Sequence, residues 1–170
     1  MKKLLALLFA MVMLCSVASA ADSFTFDPAN APYTGAWVDI GIGYQAYLPA
    51  EWYIMEVNDE MAAQGLVSLY QSPDFASAFA VSKHIATGSD GRIITDYDTL
   101  FIEYTAAGIE VYHLTINGMP VVGYDADDIG ESGLFILDGT GTIYTLGFAP
   151  NSQAEVGMTI LTSVQPLPAN

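Results

Sequence analysis

Positive charge is what this chain most lacks. Its 170 residues hold four Lys and Arg against nineteen Asp and Glu, a formal net charge of −15. Lys2 and Lys3 account for half of those cations. Beyond residue 20 only Lys83 and Arg92 remain, so residues 21–170 set two cations against nineteen acids, or −17. Phosphate backbones and anionic lipids are bound through Lys and Arg. This composition therefore excludes nucleic acid as a partner. It favours solubility and attracts cations or basic partners.

Cysteine is almost missing. Cys15 is the only one, and it lies in an N-terminal apolar run. The remainder of the chain has no disulfide, no thiolate metal ligand and no cysteine nucleophile. Leu14 stands before Cys15 where a lipidation signal needs a small residue. After residue 20 no apolar stretch is long enough to span a bilayer. Other motifs are absent too. There is no G-x-S-x-G, S-x-x-K, H-E-x-x-H or G-x-x-x-x-G-K-[ST]. Gly130-Glu131-Ser132-Gly133 has the wrong spacing for a nucleophile elbow.

What is present begins with a leader. Lys2-Lys3, the apolar run Leu4 to Leu14 and the small residues Val17-Ala18-Ser19-Ala20 have the three parts of a secretory signal peptide. The expected organisation is a signal peptide over 1–20, an N-terminal arm over 21–36 and one domain over 37–170. The expected location is periplasmic or extracellular. A domain of this size buries roughly 70% of its unfolded surface, enough to fold without disulfides.

The arm is rich in Ala and Pro, with Phe24, Phe26 and Tyr33 available to dock. From Trp37, the residues Val38, Ile40, Ile42, Tyr44, Ala46 and Leu48 alternate with more polar ones, which predicts one strand ending at Pro49. A short strand follows near Trp52–Val57, and Asn58-Asp59-Glu60 reads as a turn. Strands are predicted over 66–71 and 78–85. Thr95, with Asp98 three residues on, reads as the cap of a helix that carries Leu100, Phe101 and Tyr104 and stops at Gly108.

The strand 109–116, the turn Asn117-Gly118 and the strand 120–124 form the clearest hairpin signal. Segments 133–137 and 142–148 read as another hairpin. Ser152 and Glu155 have capping-box spacing ahead of a last helix. The order β-β-β-β-α-β-β-β-β-α predicts an α+β domain with a mostly antiparallel sheet.

The segment Tyr47-Leu48-Pro49-Ala50-Glu51-Trp52 resembles the "lP-x-x-W" signature that ends the first strand of PsbP-like and DcrB-like proteins. The late stretch is similar too: Ile116-Asn117-Gly118, two more strands, then a helix with Ile160-Leu161-x-Ser163-Val164. The likeness in element order runs over roughly residues 37–165. It implies an α/β/α sandwich, a central antiparallel sheet with helices on both sides. PsbP proteins are accessory subunits, and many bacterial relatives are exported. The resemblance carries no binding residue of these families over to a position here.

Three site chemistries are open. Asp125, Asp127, Asp128 and Glu131 are dense enough to supply several of the six to eight oxygens calcium takes. The spacing starts like an EF-hand loop, with Asp125, Asp127 and Gly130 at positions one, three and six. Ile129 and Ile136 then occupy positions that need oxygen ligands. His84 and His113 share a predicted strand setting and could meet at a transition metal if their strands are neighbours. A pair of carboxylates could serve a hydrolase at about 5–9.5 Å separation. Among the aromatics, Tyr47 and Tyr53 fall opposite the apolar parity and are candidates for a partner-binding patch. Export, acidity and the missing catalytic motifs favour a non-catalytic binding or accessory domain. Its partner would be a protein or a cell-envelope component, and no cofactor is expected beyond possible calcium. The alternatives are a calcium-binding module and a carboxylate-based hydrolase.

Overall fold

The computed structural model describes residues 21–169; the expected leader over 1–20 lies outside them. In chain order the elements are β1 (Asp22–Phe24), β2 (Gly35–Asp39), β3 (Tyr44–Pro49), β4 (Tyr53–Met55), α1 (Asp59–Ala63), β5 (Leu66–Gln71) and β6 (Ala78–Ile85). Then come α2 (Tyr97–Ala106), β7 (Glu110–Ile116), β8 (Met119–Ala126), β9 (Glu131–Leu137), β10 (Thr142–Ala149), α3 (Ala154–Ser163) and β11 (Gln165–Pro166). Eight strands make one sheet in the order β1-β7-β8-β9-β10-β6-β5-β4, and β11-β3-β2 make a smaller one. Every pairing is antiparallel except β1 with β7. The fold is α+β with a large, mostly antiparallel sheet, as its sequence order predicts.

Alternation along the central strands sends apolar side chains to both faces. Val121, Leu134, Ile136, Leu146 and Phe148 point to the first face, where Ile160 and Leu161 of α3 and Ala46 and Leu48 of β3 cover them. Val111, Val122, Phe135 and Ile143 point to the second face, under Leu100 of α2. A strand buried on both sides has no polar face to spare. That explains the apolar stretches 133–137 of β9 and 146–149 of β10.

Several local details differ from the sequence reading. The strand expected over 37–48 is a hairpin, β2 and β3. The chain turns between Asp39 and Tyr44, where Gly41 and Gly43 take φ of 83° and 80°. The period-two pattern runs through the turn because the two strands pair side by side in one sheet and keep one buried side. Asn58 caps a short helix, α1, accepting from the Met61 N–H at 2.9 Å. The cap of α2 is Asp96, one residue past Thr95, accepting from the Thr99 N–H at 2.8 Å. Ser152 lies in a 3-10 turn and α3 starts without a side-chain cap, so the expected capping box does not form.

The segment 21–36 is partly ordered by the sheet. β1 pairs parallel to β7, and Asn117 fastens it. The Asn117 side chain accepts from the Phe26 N–H at 2.9 Å and donates to the carbonyls of Thr162 and Val164, both at 3.0 Å. Its own N–H donates to the Phe24 carbonyl at 2.9 Å. Asn117 and Gly118 have φ of 49° and 80°, as a two-residue hairpin turn with both central residues left-handed requires. One turn residue thus ties the N-terminal strand, the β7–β8 hairpin and the end of α3 together.

Candidate functional site

The arrangement around β7 and β8 follows from that turn. Pairing Ile116 with Met119 sets Leu114 opposite Val121, Tyr112 opposite Gly123 and Glu110 opposite Asp125. On the first face, Leu114 and Ile116 of β7, Leu134 of β9, Phe24 of β1, and Met158 and Leu161 of α3 enclose an apolar groove of about 210 Å³. Tyr112, Asp125 and Ser132 form its polar end. A second hollow of about 330 Å³ shares Phe24, Met158 and Thr162 and continues along α3 to Phe26 and Asn30.

The polar end has a definite electrostatic character. The Tyr112 hydroxyl donates to Asp125 Oδ2 at 3.0 Å, with the Tyr112 ring 38% exposed. Glu110, partial burial and Asp125 all push the tyrosine pKa above its ordinary value, so the hydroxyl keeps its proton. Glu110 shares the face of Tyr112 by strand alternation, and Asp22 shares that of Phe24. Glu110 and Asp22 thus share the groove's side of the sheet with Asp125, the acid that lines the groove itself. Among the described residues the only Lys and Arg are Lys83 and Arg92. Arg92 pairs with Asp90 at 2.5 Å, and Lys83 sits on β6, four strand positions from β7.

The acidic residues read as calcium ligands diverge. Asp125 turns to the first face and Tyr112. Glu131 turns to the second face, where it accepts from the hydroxyl of buried Tyr124. Burial first, then Glu131, raises the Tyr124 pKa. Asp127 accepts from Asn151 Nδ2 at 2.9 Å, and Asp128 is exposed. No group of three His, Asp or Glu among the described residues is arranged to hold a metal ion. His84 and His113 lie on β6 and β7, with β8, β9 and β10 between them. At about 4.8 Å per strand spacing they cannot share an ion. His113 instead stacks on Phe101 at 4.3 Å.

The two candidate aromatics part ways. Tyr47 is half-buried among Tyr33, Phe26 and Trp37, with ring centroids 5.9, 5.4 and 5.6 Å away. Its hydroxyl accepts from the Gly35 N–H at 3.0 Å. The aromatics of the N-terminal segment thus dock on β2 and β3. Tyr53 is on the edge strand β4, half exposed and 6.5 Å from Phe75, with Ile54 exposed beside it.

A separate cleft of about 390 Å³ is lined by Tyr33, Glu51, Trp52, Asp74 and Gln153. Two acids line it, as a carboxylate hydrolase would need, and three others, Asp90, Asp96 and Glu103, line another hollow of about 210 Å³. Hydrogen bonds from the Ser72 hydroxyl at 2.6 Å and the Ala76 N–H at 3.1 Å hold the Asp74 carboxyl below its ordinary pKa. That is opposite to the raised pKa a general acid requires. Trp52, the last residue of the YLPAEW segment, stacks on Phe148 at 6.3 Å and helps cover the first face.

Sequence reasoning missed Glu110 and Tyr112. The signal was available in Asn117-Gly118. A two-residue turn sets the hairpin register, and counting back six residues on each strand places Glu110 against Asp125.

No family model matches the chain, and no curated protein matches it. Among solved structures it is similar to a Bacteroides thetaiotaomicron VPI-5482 protein, with 14% identity and a TM-score of 0.45. The likeness covers 79% of this chain and 49% of that one, so this chain spans about half the length of its structural neighbour. Among the described residues no helix is long and apolar enough to cross a membrane.

Proposed function

We propose that this chain is an exported, non-catalytic binding domain, and that the groove between α3 and strands β7, β8 and β9 is its binding site. The carrying observation is the groove itself, an open apolar hollow of about 210 Å³ whose lining holds one carboxylate, Asp125, beside the Tyr112 hydroxyl. Ligand sites are typically concave, mainly apolar and oriented by a few polar groups. Export rests on the leader read from residues 1–20. The resemblance to PsbP-like and DcrB-like accessory domains supports a binding role for a protein or envelope component.

The test is methyl NMR on the purified protein with a library of small fragments. Shifts concentrated at Leu114, Leu134, Met158 and Leu161 are the expected result. Shifts confined to the Tyr53–Phe75 edge would move the site to β4, and hits concentrated at Glu51 and Trp52 would move it to the second cleft.

A further inference from the structure

Resting on that reading, we propose that the groove takes a small ammonium ligand, a primary amine on an alkyl tail of about six carbons. The tail lies along Leu114, Leu134 and Leu161, and the ammonium sits at Glu110 and Asp125.

Register carries the argument. Glu110 and Asp125 stand directly opposite each other across β7 and β8, and like charges so placed destabilise a sheet. One hydroxyl, that of Tyr112, serves this end, and its single proton is drawn on by both acids, Asp125 at 3.0 Å and Glu110. Two carboxylates thus share one proton with no cation among the described residues near them, because Arg92 is paired with Asp90 and Lys83 lies on β6.

An ammonium has three donors and one positive charge. Placed between the two acids, it removes their repulsion and gives each a charge-assisted hydrogen bond. The rest of the hollow asks for an apolar group. Its 210 Å³ is room for about seven water-sized groups at roughly 30 Å³ each. That fits a six-carbon amine. An anion of the same length would meet two carboxylates.

The experiment compares n-hexylamine, 1-hexanol and hexanoate by methyl NMR titration at low salt. The amine should bind about tenfold tighter than the alcohol, the usual scale for hydrogen bonds to a charged group. Hexanoate should bind weakest. In the Glu110→Gln, Asp125→Asn double variant the amine should lose that advantage while the alcohol binds as before; if the double variant fails to fold, Glu110→Gln alone should remove part of it. Amine and alcohol binding equally in the groove would overturn the ammonium assignment and leave the binding site standing. None of the three perturbing the groove would overturn both. A preference for the amine that survives the double variant would place the cation elsewhere and overturn the assignment.

Discussion

Two tyrosine–carboxylate pairs stand back to back on the large sheet. On the second face Tyr124, 6% exposed, donates to Glu131 and stacks on Phe135 at 4.5 Å. On the first face Tyr112, 38% exposed, donates to Asp125 at 3.0 Å. The chemical groups are the same and both pairs draw on β8, but the surroundings differ. Glu131 lies over Gly147, where any Cβ would come within 2.7 Å of its carboxylate. The sheet makes room for that acid and closes around it. Asp125 faces an open groove and a second acid. Burial makes one bond a structural element, while exposure and a like-charged neighbour leave the other able to rearrange around a guest.

The largest effect is expected where the first face is fastened. Asn117→Ala removes side-chain partners from the Phe26 N–H and two carbonyls and puts a Cβ residue without local hydrogen bonding at positive φ. It should cost about 3 kcal/mol in denaturant unfolding, at about 1 kcal/mol per part-buried hydrogen bond. Asn117→Gly keeps the backbone conformation and should cost less. Equal losses would show that the turn conformation plays no part.

The comparison of the two pairs sharpens with one substitution at each. Tyr124→Phe leaves the half-buried Glu131 carboxylate without its donor and should cost about 2 kcal/mol, a drop of several degrees in melting temperature for a domain of this size. Tyr112→Phe removes the matching bond at an exposed rim and should change stability by less than about 0.5 kcal/mol. Similar losses at the two sites would mean that burial is not what separates them. A smaller effect of opposite sign is expected at Asp125→Asn. The amide oxygen still accepts from Tyr112 while the charge opposing Glu110 disappears, so the domain should gain a few tenths of a kcal/mol at low salt. That gain should shrink at 1 M salt, where screening acts over about 3 Å.

Much of this frame was legible in the residues because it depends on local rules. Asn117-Gly118 announced its hairpin, the strands 66–71 and 78–85 match β5 and β6 to the residue, and the antiparallel α+β order follows from the run of hairpins. The break at Gly41 and Gly43 was hidden, since apolar alternation continues unchanged through a tight turn between paired strands. The site was legible only in part. The acids 125–131 were conspicuous as a cluster, yet period-two geometry sends Asp125 and Glu131 to opposite faces. Spacing along the chain counts ligands without saying which way they point. Glu110 is fifteen residues from Asp125 in sequence, and only the pairing of β7 with β8 makes them neighbours. Likewise Tyr124 and Tyr112 look alike in sequence, and the placement of α2 and α3 decides which one is buried.

Asp138, in the turn between β9 and β10, shows what a fully satisfied carboxylate does and gives the comparison a pH axis. Its oxygens accept from the Thr140 N–H at 2.7 Å, the Thr142 N–H at 3.0 Å and the Thr140 hydroxyl at 2.8 Å. Those donors pull its pKa from 3.8 down to about 2. A carboxyl whose folded pKa lies below its unfolded value binds protons more readily when unfolded. Its contribution is therefore complete above pH about 3.8 and drains away as the pH falls from there through about 2. Asp138→Asn should accordingly lower stability at pH 6 and have a markedly smaller effect at pH 2, read from denaturation midpoints at the two values. The groove-side acids lack such a ring of donors, so Asp125→Asn should not lower stability at pH 6 as Asp138→Asn does. If the two variants lost stability alike at pH 6, Asp125 would be as well served by the protein as Asp138, and the case for a guest cation at the groove would fall with it.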